Sequence, residues 1–171
     1  MKNFNQLIFL FLCLFSTSLF AQTVDWETLK NAELAEEKDY HAIEPQVLKL
    51  IDWLGNHSLD HPNRGTANAY FIKWISGSAN VTVELHPYVL GYYKKNTDFM
   101  ILFMAGWSKY VLENPARKED KMGGRLAGIN YFLDFYEKGT DFGVRKDRKV
   151  AKLLKKREAG KLEEFIAKKN N

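Results

Sequence analysis

Cysteine is almost missing from this chain. Its one cysteine, Cys13, stands inside an apolar run near the start, between Leu12 and Leu14. Once that run is removed no thiol remains, which excludes disulfides, thiol nucleophiles and Cys-based metal sites together. Proline is scarce too, and of the four only Pro45 falls within a helical pattern, where it is tolerable only near the helix start. There is no HExxH, no GxSxG, no full Walker pattern and no GxGxxG, so the motif-bearing zinc, hydrolase and nucleotide classes have no footing here. No cofactor is expected. No apolar run reaches the roughly 20 residues of a comfortable membrane span.

What is present begins with the start itself. Lys2 supplies a positive end, Leu7 to Phe15 an apolar run, and Ser16-Thr17-Ser18 leads to Phe20, Ala21 and Gln22. That order fits a secretory signal cleaved after Ala21, against an uncleaved anchor as the alternative. Cys13 has large apolar neighbours rather than the small residues of a lipoprotein cleavage point. The expectation is a signal peptide over 1–21, then one exported domain over 22–171, with no transmembrane segment after cleavage. The start resembles the signals of exported bacterial proteins, which implies a periplasmic or extracellular location. Two sequons, at Asn56 and Asn80, matter only in a host that glycosylates exported proteins.

Charge is spread unevenly. Lys2 is the only charged residue of the first 21, so their removal leaves 24 basic and 21 acidic residues. Residues 22–144 carry 13 basic and 17 acidic side chains, whereas 145–161 carry nine basic residues against Asp147 and Glu158. A basic C-terminal segment thus follows a mildly acidic body. Such a segment attracts anionic envelope surfaces. Alternatively it is the solvated face of helices over 145–168, docked through Val150, Leu153, Leu154, Leu162, Phe165 and Ile166.

The apolar pattern is helical over most of the chain. A polar helix is expected over 25–38. Another over 39–54 carries Ile43, Val47, Leu50, Ile51 and Leu54 at steps of three and four. After a loop at 57–65, Thr66 caps a helix that runs to Ile75. Val81, Val83 and Leu85 alternate with polar residues as a strand does, yet no partner strand is evident. Pro87 opens a short helix to Lys95. Phe99 to Trp107 is apolar or small all round, which marks a buried central helix ended by Asn114-Pro115. Over 118–138, Met122, Leu126, Ile129, Leu133 and Tyr136 step by four and three. Gly160 divides the last segment. The expected fold class is all-α, a compact array or bundle of six to seven short helices with one short extended segment near 81–85.

Several residues invite chemistry, each with a plainer reading beside it. His57 and His61, with Asp60 between them, have the spacing of metal ligands on a helix, but their Gly- and Pro-flanked stretch reads as a polar loop with no third ligand identifiable. Glu84 and His86 fall on one side of the extended segment, either as an acid–base pair or as a polar edge. Gly124 and Gly128 are one turn apart, as close helix packing requires. Trp53, Trp74 and Trp107, though not Trp26, sit in core patterns. Tyr88, Tyr92 and Tyr93, with Lys94 beside them, are the better candidates for lining a groove.

The stretch FIKWISGSANVTVEL, followed by MILFMAGWSKYVLENP, resembles exported bacterial helical proteins of unassigned function, over roughly residues 66–136. The resemblance implies no activity. The expected function is a non-enzymatic binding module for an envelope protein, peptide or polysaccharide, with nothing pointing to specific nucleic acid. The alternatives are a small hydrolase acting on an envelope polymer, and electrostatic association with anionic surfaces through the basic C-terminal segment.

Overall fold

The computed structural model describes residues 23–170. The expected signal, and Cys13 with it, lie outside them. Among the described residues there are nine α-helices, six of them of seven residues or more, and no strand. The fold is all-α. No described helix is long and apolar enough to cross a membrane.

The first two expected helices break into three. Asp25 accepts the Thr28 amide at 2.9 Å and starts α1 (Trp26–Asn31), which stops at an extended Ala32. Asp39 takes the amides of Ala35 and Glu36, and α2 (Glu37–Ala42) begins there. The helix expected over 39–54 is interrupted at Ile43. Pro45 has no N–H to donate and its ring obstructs the carbonyl four residues back, so it can only stand in the first turn of a new helix, α3 (Glu44–Asn56). Val47, Leu50, Ile51 and Leu54 of α3 are fully buried.

α4 (Arg64–Ile75) starts within the stretch expected to be loop, and its N-cap Asn63 makes no side-chain cap bond. Backbone bonding starts the helix instead, with the Ala67 N–H donating to the Asn63 carbonyl at 2.9 Å. The Arg64 guanidinium donates to the carbonyls of Leu54 (2.7 Å) and His57 (3.1 Å) and to Asp98 (3.2 Å). It therefore ties the end of α3 to the start of α4 and to the next long helix. Burial lowers the basicity of Arg64, and the Asp98 charge opposes that. Residues 81–86 form neither helix nor strand, so the alternation of Val81, Val83 and Leu85 makes no paired strand. The next helix, α5 (Pro87–Leu90), is shorter than expected and gives way to turns before Lys95.

α6 (Asp98–Glu113) and α7 (Lys121–Glu137) form the central hairpin. Every residue from Leu102 to Ser108 is buried, so α6 touches protein on all sides. The two backbones come close because glycines on both helices sit at the crossing, Gly106 against Ala127 and Tyr131, Gly124 against Trp107, and Gly128 against Phe103. A Cβ on Gly128 would lie 2.6 Å from the Phe103 carbonyl oxygen. A side chain there would force the helices apart, and close packing cannot absorb that. Asp120 caps α7 through the Gly123 amide and also accepts the Tyr110 hydroxyl at 2.7 Å.

The C-terminal pair, α8 (Arg148–Glu158) and α9 (Leu162–Asn170), is divided at Gly160, whose φ of 66° suits glycine. Val150, Leu153, Leu162 and Ile166 dock it on the body. Asn96 fastens the approach to α8: its amide donates to the Arg145 carbonyl at 2.9 Å and accepts the Arg145 N–H at 2.8 Å.

Candidate functional site

Lys149, Lys152 and Lys156 of α8 are spaced three and four apart, so they share one face of that helix. That face looks across a groove of about 340 Å³ toward α5 and the turn after it. Tyr88, Tyr92, Leu153 and Phe165 form its apolar surface, and Lys169 of α9 adds a fourth ammonium group to its edge. The Lys156 ammonium stands 4.7 Å from the Phe165 ring centre, in cation–π range. None of the four lysines makes an ion pair among the described residues, and no acidic side chain lines the groove. Four unneutralised ammonium groups beside aromatic faces attract an anion and offer it a surface to stack on. Burial pushes the Tyr88 and Tyr92 hydroxyls above the usual phenol range, so both stay neutral donors.

The other cations of the basic segment have a different use. Arg157 bonds Asp134 (2.6 Å) and Glu137, fastening α8 to α7. The charge run therefore divides by helix face into a structural part and a part facing the groove.

The residues singled out in the sequence do not gather in one place. Tyr88 and Tyr92 line the groove. Tyr93 turns inward, packed edge-on against Phe132 at 6.2 Å, and Lys94 lies exposed outside the groove. Glu84 and His86 are neighbours on the extended segment without a hydrogen bond between them. The Glu84 carboxylate is taken up by Lys121 (2.5 Å) and Arg125 (3.1 Å), and the Lys121 hydrogen bond leads in holding it below the usual carboxylate range. His86 sits at the N-cap of α5 without a side-chain cap bond, its ring 5.6 Å from that of Tyr88.

His57 and His61 do come together, with ring centres 5.1 Å apart, because both pack on Trp53. His57 Nδ1–H donates to the Trp53 carbonyl at 2.9 Å, and His61 Nδ1 accepts the Asn63 amide at 3.1 Å. One ring nitrogen of each is thus already used. The Asp60 carboxylate is held low chiefly by a hydrogen bond from the Ser58 side chain. Among the described residues no three His, Cys, Asp or Glu side chains gather as a metal site requires.

One polar cluster left no signal in the sequence. His41 Nδ1 lies 2.7 Å from the Glu44 carboxylate, whose other oxygen accepts the Asn80 amide at 2.8 Å. The group borders a recess of about 300 Å³ that Lys118 also lines. Helical spacing of three joins His41 to Glu44, but Asn80 comes from a distant loop, so only the tertiary fold assembles the trio.

Compared with protein families, with curated proteins and with solved structures, the chain matches none.

Proposed function

We propose that this is an exported binding protein for an acidic envelope polysaccharide, held in the groove between α5 and α8–α9. One observation carries the reading. Two of the tyrosines marked as groove residues and three lysines of the basic C-terminal segment line the same groove, with no acid to neutralise them. Lysine is a point charge on a flexible stem, suited to carboxylates spaced loosely along a polymer rather than to one fixed bidentate anion. Tyrosine and phenylalanine rings offer flat apolar faces on which sugar rings lie. The groove is open, as a continuous polymer strand requires.

The test is calorimetric titration of the purified protein with polygalacturonate, with neutral dextran and polyglutamate as controls. Polygalacturonate should bind saturably, weaken as NaCl rises from 0.05 to about 0.5 M because screening shortens the Debye length, and exceed both controls. Binding of dextran as tightly as polygalacturonate would remove the electrostatic basis. Preference for polyglutamate would replace the glycan by an acidic peptide.

A second reading, hydrolysis of an envelope polymer, rests on the His41–Glu44–Asn80 cluster. Glu44 orients His41 Nδ1, which leaves Nε2 as the group to take a proton from water. Release of reducing ends from an acidic polysaccharide, lost in His41→Ala, would establish it; no release by the intact protein would end it.

A further inference from the structure

α8 presents a second face, opposite in character to the lysine face. Ala151 and Leu154, with Val144 and Tyr136, wall a cleft of about 740 Å³, within the size range of small-ligand pockets. The Tyr136 hydroxyl is spent on the Asp147 backbone, donating to its carbonyl and accepting its N–H, both at 3.2 Å. Its ring remains as wall. None of the residues lining the cleft has a buried polar atom without a partner. Val144, Ala151, Leu154 and the Tyr136 ring offer no polar group to a peptide backbone or a sugar laid against them, whereas a hydrocarbon chain has none to pair; Thr140 is the one other hydroxyl in the lining.

The mouth is charged, with cations outnumbering acids three to two. Lys95, Lys146 and Arg148 line it, and none of them makes an ion pair among the described residues. Lys95 is held there by donating to the Lys146 carbonyl at 3.3 Å. Of the two acids that also line the cleft, Glu137 is paired with Arg157, and the buried Asp147 caps α8 by accepting the Lys149 amide at 2.7 Å rather than pairing with a cation of the mouth. An apolar trough with a cationic mouth matches an amphiphile with a single chain and an anionic head. We propose that this cleft binds a free long-chain carboxylate, its chain against Val144, Ala151 and Leu154 and its head among Lys95, Lys146 and Arg148. This site is separate from the polysaccharide groove across the helix, and neither proposal requires the other.

The probe is sodium laurate below its micellar concentration, titrated into the full protein and followed by methyl NMR, with dodecyltrimethylammonium and acetate as controls. Laurate should bind saturably at one per chain, shifting the Val144, Ala151 and Leu154 methyl signals. The cation of equal chain length and acetate should each bind at least tenfold more weakly. Ala151→Phe, which fills the trough, should weaken laurate at least tenfold, and Lys146→Glu with Arg148→Glu several-fold, while Lys149→Gln with Lys152→Gln leaves it unchanged. Equal binding of the cationic amphiphile, shifts confined to other methyls, or no saturable binding would each overturn the proposal. The map on the unsubstituted protein decides the matter even if Ala151→Phe does not fold.

Discussion

The α6–α7 hairpin and the α8–α9 pair are built on opposite terms. In the hairpin nearly every side chain is committed: Phe99, Phe103, Trp107 and Phe132 are buried, and glycines let the backbones close on one another. In the C-terminal pair only Val150, Leu153, Leu162 and Ile166 are buried, while charged side chains face solvent and two clefts. A region whose side chains are mostly occupied by packing has little left for a ligand, and the hairpin lends the clefts only its end, Tyr136 and Glu137. The region that docks lightly keeps its charges free, and both clefts argued above lie along α8. If the two clefts bind as proposed, stability and recognition are separated along the chain, and substitutions can show how completely.

The largest effect is expected inside the hairpin. Gly128→Leu places a side chain where the Phe103 carbonyl already stands, and should cost more than about 4 kcal/mol, or abolish the cooperative thermal transition. A mild shift of the melting temperature would mean that the helices can separate and that the contrast is overstated. Arg64→Met comes next, at about 3 kcal/mol by urea unfolding, because it strands the carbonyls of Leu54 and His57. Leu153→Ala should cost about 2–3 kcal/mol. Its distinguishing mark is local, with faster hydrogen exchange in α8 and α9 and unchanged protection in α6 and α7.

Acid should expose a smaller difference. The Glu84 carboxyl is held below its unfolded value of 4.5 by the Lys121 hydrogen bond and then by the Lys121 and Arg125 charges. A depressed carboxylate stabilises the fold above its unfolded pKa, and that contribution is lost as pH falls through the folded value. Glu84→Gln should therefore be less stable than the native chain at pH 7 and lose less on going from pH 5 to pH 2. Parallel acid curves for the two proteins would deny Glu84 that part. The smallest stability effect belongs to Lys149→Gln with Lys152→Gln and Lys156→Gln, within about 0.5 kcal/mol of the native chain. A large loss would assign those lysines to the fold.

Much of the architecture was legible because it rests on periodicity. The unbroken apolar circumference of α6, the four-and-three stepping of α7 and the stop at Gly160 all stand in the local sequence. The division at Ile43 was half legible: Pro45 announced a constraint, but the pattern from Ile43 to Leu54 runs smoothly across it. The start of α4 was not legible, since no side chain caps it and its first residue, Arg64, is fixed by carbonyls 7 and 10 residues away in sequence. At the groove, Tyr88 and Tyr92 were legible as aromatic residues beside loops. Tyr93 looked the same in sequence and faces the core instead, because α5 ends early and the following turns set the direction of each ring. That the basic segment would stand across from those tyrosines depends on the docking of α8, which no local pattern contains.

The contrast between the two regions is tested most directly by mapping where an acidic glycan touches the protein, through amide shifts on titration with polygalacturonate oligomers. The account predicts perturbation at Tyr88 to Tyr92 and along residues 149–169, abolished by glutamine at Lys149, Lys152 and Lys156, with α6 and α7 silent. Perturbation centred on the hairpin, or undiminished binding by the triple variant, would contradict it.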